Sequence, residues 1–195
     1  FYLAFMLVLF SLIFRAVSLE FYSIDEPRRR LWEFTLAGGS LVPSLLYGIA
    51  LGNIIVGVPL NETMQYTGGF FTLFRPFPLA VGLLGLLAIL MQGSTFVVMK
   101  LTGSVQEKAR KIAGTLWVIY IALLVLSFVL SSIYIPSAMR NPLAWVSTLI
   151  VLGSCIGLKV ALDRGKDSLA FYMSSCAFLG LWGIVGSVHF PNLVK

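Results

Sequence analysis

Four side chains in or beside apolar stretches are of the types that could do chemistry in this sequence. Arg15 and Glu20 lie at the end of the first apolar stretch. Glu33 follows Trp32 where the second stretch begins. A carboxylate with a raised pKa can accept and release protons near neutral pH, so Glu33 is a candidate for a proton route. Snorkelling of Arg15 to lipid head groups, and a capping or topological role for Glu33, are the alternatives.

Two amides, Asn53 and Gln92, lie inside apolar stretches. An uncharged amide at that depth can bridge neighbouring helices by hydrogen bonds, and helix bridging is the role we predict for both. The glycines Gly48 and Gly52 lie four residues apart, and this small-xxx-small pattern predicts close helix packing rather than ligand binding.

Metal and nucleotide sites are not indicated. Cys155 and Cys176 both fall in apolar stretches, where a thiol usually behaves as a small hydrophobe, and His189 is the single histidine. Neither a CxxC spacing nor a GxGxxG or GxxxxGK[ST] loop occurs. We therefore predict no metal or haem site assembled by this chain alone, and any redox cofactor should be held mainly by another subunit.

The elements that position these residues are predicted from composition. Of the 195 residues 58% are hydrophobic and 11% are charged, whereas soluble domains carry about 25% charged residues. A bilayer is crossed by about 20 apolar residues, which must be helical to satisfy their backbone polar groups. The prediction is an all-α, polytopic transmembrane helix bundle forming one membrane domain over residues 1–195. Its six helices are expected at 1–19, 35–58, 76–99, 113–135, 142–162 and 168–188.

The net charge of +6 reflects topology rather than nucleic-acid binding. Eleven cations fall in alternate connections, against three on the other side, and this asymmetry predicts basic loops inside and an outward C-terminal end. The eleven are Arg15, Arg28, Arg29, Arg30, Lys100, Lys108, Arg110, Lys111, Lys159, Arg164 and Lys166, and the three are Arg75, Arg140 and Lys195. The partner implied directly by composition is the lipid bilayer.

Both ends of the sequence suggest a longer chain. The sequence begins at Phe1 inside an apolar run, without an initiator methionine or a basic leader, so we expect helices to be missing at both ends. The motif Asn61-Glu62-Thr63 matches the glycosylation pattern, but so short a match carries little weight.

One long string ties the chain to a known family. Residues 39–61, GSLVPSLLYGIALGNIIVGVPLN, closely resemble subunit II of bacterial cytochrome bd-type quinol oxidases, including the cyanide-insensitive branch. Further similar blocks follow in register, and together they cover roughly residues 1–103. These blocks are 14–21, 31–33, 66–71 with Pro76-Phe77, and 92–95, whereas the remainder resembles the family in helix spacing and in Phe190-Pro191.

The resemblance implies a respiratory role in the bacterial cell membrane. The family's subunit has nine helices, of which this chain resembles the third to eighth. Quinol oxidation would be coupled to reduction of dioxygen to water and to generation of a proton-motive force. The haem ligands and the quinol-oxidising loop belong to subunit I of the family, so two b-type haems and haem d, or a third b-type haem, are expected in that partner. This chain would supply scaffold, subunit interface and a proton or oxygen path, and a structural quinone is a further expected ligand.

The resemblance also places individual residues. Arg15 matches the family's helix-end arginine, Trp32 its tryptophan and Glu33 an acidic position, while Glu20 matches a variable acidic one. Arg75 departs from the pattern, since relatives can carry asparagine before the Pro-Phe pair, so no role is carried over to it.

Two alternatives remain open. A transporter or permease fragment without a redox partner fits the helix number and the glycine-rich faces, although we find no inverted repeat or interrupted helix. A purely structural membrane subunit is the second, and it differs from the oxidase interpretation in whether Arg15 and Glu33 affect turnover.

Overall fold

The chain is all-α in a computed structural model that describes residues 2–57, 69–136 and 141–189. The six helices are α1 (Tyr2–Ile24), α2 (Arg29–Val56), α3 (Pro76–Lys100), α4 (Ser104–Tyr134), α5 (Pro142–Asp163) and α6 (Asp167–His189). Short 3₁₀ turns, Glu26–Arg28 and Phe70–Leu73, precede α2 and α3. Each of the six helices is long and apolar enough to cross a membrane, which confirms the polytopic all-α class.

Three helix ends differ from the predicted bounds. The first helix ends at Ile24 rather than at residue 19, the second begins at Arg29 rather than at 35, and the fourth begins at Ser104 rather than at 113. Hydropathy marks only the apolar part of a helix, whereas helical hydrogen bonding continues through charged residues at the membrane surface. Some sequence expectations, among them Asn61-Glu62-Thr63, the block at 66–68, Arg140, Phe190-Pro191 and Lys195, lie outside the described residues.

Proline and asparagine mark two of the helix starts. Pro76 and Pro142 occupy the first positions of α3 and α5, where the missing N–H would have no partner within the helix. The Asn141 side-chain oxygen accepts the Leu143 N–H at 3.0 Å, and its Nδ2 donates to the Ser187 carbonyl at 2.6 Å. Asn141 therefore caps α5 and also ties its start to the end of α6.

The described residues form two compact units. Unit 1 contains α1, α2 up to Asn53, the second 3₁₀ turn, and α3 up to Leu86, and unit 2 contains the rest of α3 with α4, α5 and α6. The expectation of a single membrane domain stays a prediction.

Glycines allow close helix approach inside unit 1. A β-carbon at Gly48 would lie 2.6 Å from the Gly82 Cα, and one at Gly52 would lie 2.6 Å from the Pro78 Cα. These distances are shorter than any ordinary contact of a β-carbon, so α2 and α3 touch backbone to backbone. The packing role predicted for Gly48 and Gly52 is confirmed.

Unit 2 is built on the α5–α6 pair. A β-carbon at Gly180 would lie 2.7 Å from Val151 Cγ2, and one at Gly157 would lie 2.8 Å from Met173 Sδ. Helix α4 is joined to this pair by Trp117, whose Nε1 donates to the Cys155 carbonyl at 2.8 Å.

Tyr120 is a fully buried residue of α4, and its hydroxyl has no hydrogen-bond partner among the described residues. We expect Tyr120→Phe to raise the free energy of unfolding by roughly 1 kcal/mol, because it removes a buried hydroxyl that has no hydrogen-bond partner in the described part of the packed unit. The measurement is the thermal midpoint of the full-length protein purified in its native assembly.

The control for this change is Tyr172→Phe, because Tyr172 of α6 is 61% exposed and its hydroxyl is not enclosed by unit 2. Its midpoint should not move. A lower midpoint for Tyr120→Phe would mean that the hydroxyl is hydrogen-bonded in the assembled protein, and would contradict the prediction.

Candidate functional site

Trp32 is held where α1 meets α2. Its ring stacks on Phe21 with centroids 5.2 Å apart and an interplanar angle of 22°. Its Nε1 donates to Asp25 Oδ2 at 3.3 Å. Because only the 3₁₀ turn and Asp25 separate the two helices, the last turn of α1 lies beside the first turn of α2. The tryptophan therefore packs across this connection.

Glu33 forms the polar part of the same connection. The Tyr22 hydroxyl donates to Glu33 Oε1 over 3.5 Å, and Arg29 Nε lies 3.9 Å from that oxygen. Arg29 Nη2 donates to the Tyr22 hydroxyl at 2.6 Å, with the guanidinium 4.5 Å from the ring centroid. The result is a continuous line of donors from Arg29 through Tyr22 to the carboxylate.

We call this group the α1–α2 corner, defined by Phe21, Tyr22, Asp25, Arg29, Trp32 and Glu33. The Glu33 side chain is 55% exposed in this chain, and its role stays a prediction. An exposed carboxylate can exchange protons with water, and the Tyr22 and Arg29 donors hold this one in place.

Arg15 and Glu20 lie on α1 away from these contacts. Both side chains are exposed, and neither forms a hydrogen bond or ion pair with another described residue. The α1 backbone at Arg15 packs against α2, where a β-carbon at Gly39 would lie 3.0 Å from the Arg15 β-carbon. Arg15 is about 14 Å along the helix axis from Ile24 at 1.5 Å per residue. The structure therefore does not bring Arg15 or Glu20 into contact with Trp32 or Glu33.

Sequence reasoning missed Tyr22 and Asp25, and treated Arg29 only as a topological charge. The available signal was the position of Tyr22 and Asp25 at the end of the first helix. Tyr22 lies eleven residues before Glu33, and Asp25 lies seven residues before Trp32. Recognising it requires knowing that α1 continues to Ile24.

Asn53 is buried in unit 1 and connects α2 with the segment that leads into α3. Its Nδ2 donates to the Ile49 carbonyl at 2.9 Å and to the Leu73 carbonyl at 2.8 Å. One amide group thus holds the second 3₁₀ turn against α2.

Gln92 connects α3 with α6 in unit 2. Its Oε1 accepts from Ser174 Oγ at 2.7 Å, and its Nε2 donates to Ser175 Oγ at 2.7 Å. Thr95 Oγ1 lies 2.9 Å from Ser174 Oγ. These groups are uncharged and satisfy one another, so the arrangement links helices in an apolar environment.

A further polar cluster lies at one end of unit 2 and was not predicted. Asp167 Oδ1 accepts from Arg110 Nη2 at 2.6 Å, and its Oδ2 accepts from Gln106 Nε2 at 2.8 Å. The same side chains reach two helix ends, since Gln106 donates to the Val98 carbonyl at 3.0 Å and Arg110 to the Leu162 carbonyl at 3.2 Å. We call Gln106, Arg110 and Asp167 the clasp, because they join all four helices of unit 2.

The described side chains contain no cluster of His, Cys, Asp and Glu suited to a metal ion. Within residues 2–57, 69–136 and 141–188, no three His, Cys, Asp or Glu side chains lie close enough to hold a metal ion. Cys155 is buried and Cys176 is exposed, and both thiols are free.

Comparisons with known proteins show where similar sequences occur. The family model of cytochrome bd terminal oxidase subunit II matches residues 1–195. The chain is 40% identical over 119 residues to cytochrome bd-I ubiquinol oxidase subunit 2 of Escherichia coli K12, which covers 58% of this chain and 31% of that protein. It is 39% identical over 119 residues to the probable cytochrome oxidase subunit 2 of Haemophilus influenzae, with 58% and 32% covered.

A more distant relative matches this chain over its whole length. The cytochrome bd ubiquinol oxidase subunit 2 of Bacillus subtilis is 23% identical over 198 residues, covering 100% of this chain and 58% of that protein. The chain thus spans about a third of the length of the first two relatives and 58% of the third.

Proposed function

This chain belongs to the family of cytochrome bd terminal oxidase subunit II, and on that premise we propose that it acts within a quinol oxidase that reduces dioxygen to water. The observation that carries the proposal is the family match over residues 1–195. Six helices that could span a membrane support it. The transporter alternative is not favoured, because the family and its named relatives are oxidase subunits.

Within that complex the chain acts as a scaffold beside a haem-bearing subunit I. The family match supports haems in the complex, and we assign two b-type haems and haem d, or a third b-type haem, to the partner. When bound there, the haems would carry electrons from quinol to dioxygen. On this division of labour the chain is not catalytic alone, and a structural quinone is an additional expected ligand.

The chain spans the bacterial cell membrane with its basic connections on the cytoplasmic side. The asymmetry of eleven cations against three, counted in alternate connections and the helix residues beside them, supports this orientation. Arg15 is exposed on a spanning helix, where an isolated cation is costly, so we assign it and Glu20 to an interface with another helix of the complex.

The α1–α2 corner is the proposed point of proton entry. It lies at the connection between α1 and α2, on the side assigned to the cytoplasm. The Glu33 side chain is exposed to water there. The Glu33 carboxylate can take up a proton from water, while its contacts with Tyr22 and Arg29 and the Asp25–Trp32 bond hold the geometry.

Glu33→Gln in the full-length subunit is expected to lower quinol-driven oxygen uptake by about tenfold, since the amide cannot accept the proton. Haem content and subunit assembly should persist, because the side chain is exposed and its ion pair with Arg29 is long. Oxygen uptake is measured with an oxygen electrode, and haem content from the reduced-minus-oxidised spectrum.

Glu26→Gln is the matched control, because Glu26 carries the same charge in the turn of the same connection and has no side-chain contact with Trp32 or Glu33. Its uptake should stay at the unmodified level. Unchanged uptake in Glu33→Gln with normal haem content would reject a proton role and leave the purely structural subunit.

The oxidase proposal itself is tested by purifying the full-length tagged subunit from its native membrane. Haem bands in the difference spectrum together with quinol-driven oxygen uptake are expected. A haem-free preparation that does not consume oxygen would overturn the proposal.

A further inference from the structure

We propose that the clasp end of unit 2 binds the phosphate headgroup of an anionic phospholipid. Five exposed cations there form no hydrogen bond or ion pair through their side chains with another described residue. They are Lys100, Lys108 and Lys111 around the α3–α4 turn, and Arg164 and Lys166 in the α5–α6 turn.

The clasp brings these two basic turns to one place. Each turn has three residues, 101–103 and 164–166, and each contains a glycine with positive φ, +81° at Gly103 and +66° at Gly165. Arg110 reaches from α4 to the Leu162 carbonyl, and its Nη1 would lie 3.5 Å from a β-carbon at Gly165. The two turns therefore lie at the same end of unit 2.

Two of the three acidic side chains at this end already form ion pairs. Asp167 is paired with Arg110 at 2.6 Å and Asp163 with Lys159 at 2.8 Å. Glu107 is the one further acid in the sequence between Lys100 and Asp167. Seven cations and three acids thus leave a net charge of +4 at this end of unit 2. An anion would relieve the repulsion among them.

The neighbouring apolar surface favours a lipid over a free anion. Leu101 and Val105 lie between Lys100 and Lys108, Ile112 follows Lys111, and the three are 46%, 52% and 54% exposed. They belong to or border helices that could span a membrane, so acyl chains can cover them while the phosphate meets the cations. A soluble phosphate would leave these side chains uncovered.

The test is native mass spectrometry of the full-length protein in its purified assembly, titrated with dioleoylphosphatidylglycerol. The double change Lys108→Gln with Lys111→Gln is expected to weaken binding at one lipid site about tenfold, and Lys108→Arg with Lys111→Arg should retain it. Millimolar inorganic phosphate should not displace the lipid.

The matched control is Arg28→Gln with Arg30→Gln, because these two exposed cations also carry no side-chain ion pair to a described residue but lie in unit 1. Lipid binding should be unchanged in that variant. Unchanged binding in the lysine double variant, an equal loss in the arginine control, or full displacement by phosphate would each overturn the proposal.

A measurement on the unmodified protein covers the case in which the lysine variant does not assemble. A photoactivatable phosphatidylglycerol should crosslink to peptides that contain residues 100–112 or 163–167 more than a matching phosphatidylcholine probe does. Equal labelling by the two probes would contradict a headgroup site. Neither readout depends on oxygen uptake, so their failure leaves the proposed oxidase function untouched.

Discussion

Gly48→Val is expected to prevent stable accumulation of the full-length subunit in the membrane. The β-carbon would lie 2.6 Å from the Gly82 Cα and 3.2 Å from its carbonyl oxygen. These are backbone atoms of α3, so no change of side-chain rotamer can relieve the overlap. Separating α2 from α3 to admit the side chain should cost about 3 kcal/mol or more, at the upper end of the range for overpacking. The measurement is the amount of folded subunit extracted from membranes, with the thermal midpoint of any protein recovered.

Gly38→Val is the matched control on the same helix, because no atom lies within 4 Å of the β-carbon position at Gly38. That variant should accumulate normally. Equal losses at Gly38 and Gly48 would indicate a general effect of valine in α2 and would contradict the specific contact with Gly82.

Asp167→Ala is expected to lower the free energy of unfolding by roughly 2 kcal/mol. The change removes the acceptor of both Arg110 and Gln106, and it leaves a partly buried guanidinium without its acid. The side chains of Arg110 and Asp167 are 32% and 22% exposed, so solvent screening reduces the loss below that of a fully buried pair. The measurement is the thermal midpoint of the purified assembly, together with the rate of proteolysis at the α5–α6 turn.

Asp163→Ala provides the comparison, because the Lys159–Asp163 pair has a similar distance of 2.8 Å but exposures of 44% and 60%. Exposed pairs within one helix contribute about 0.3–0.5 kcal/mol, so the midpoint should hardly move. A shift as large as that of Asp167→Ala would mean that charge alone, rather than the clasp, stabilises this end.

The number and class of the helices could be predicted because the bilayer sets a minimum length for an apolar span. The helix ends could not, since residues such as Glu20 and Arg110 are compatible with a helix that leaves the membrane but lower its hydropathy. Close packing at Gly48 was predictable from the four-residue spacing of small residues. The identity of the partner helix was not predictable, because the spacing of small residues in α2 does not show which helix packs against them.

The residues of the candidate site could be predicted in part, but their contacts could not. Trp32 and Glu33 could be selected by type, position and resemblance, whereas their contacts with Asp25 and Tyr22 depend on how the 3₁₀ turn reverses the chain. Gln92 could be recognised as a polar group at membrane depth. Its acceptor Ser175 is 83 positions away, so only the folded α3–α6 contact reveals the pair.

The short turns of unit 2 bear on how the chain is inserted during synthesis. With three residues between α3 and α4, and three between α5 and α6, each pair should enter the bilayer as one helical hairpin. Arg110 belongs to the first hairpin and Asp167 to the second. Their ion pair can therefore form only after the second hairpin has been synthesised and packed against the first, so the clasp is a late contact in the assembly of unit 2.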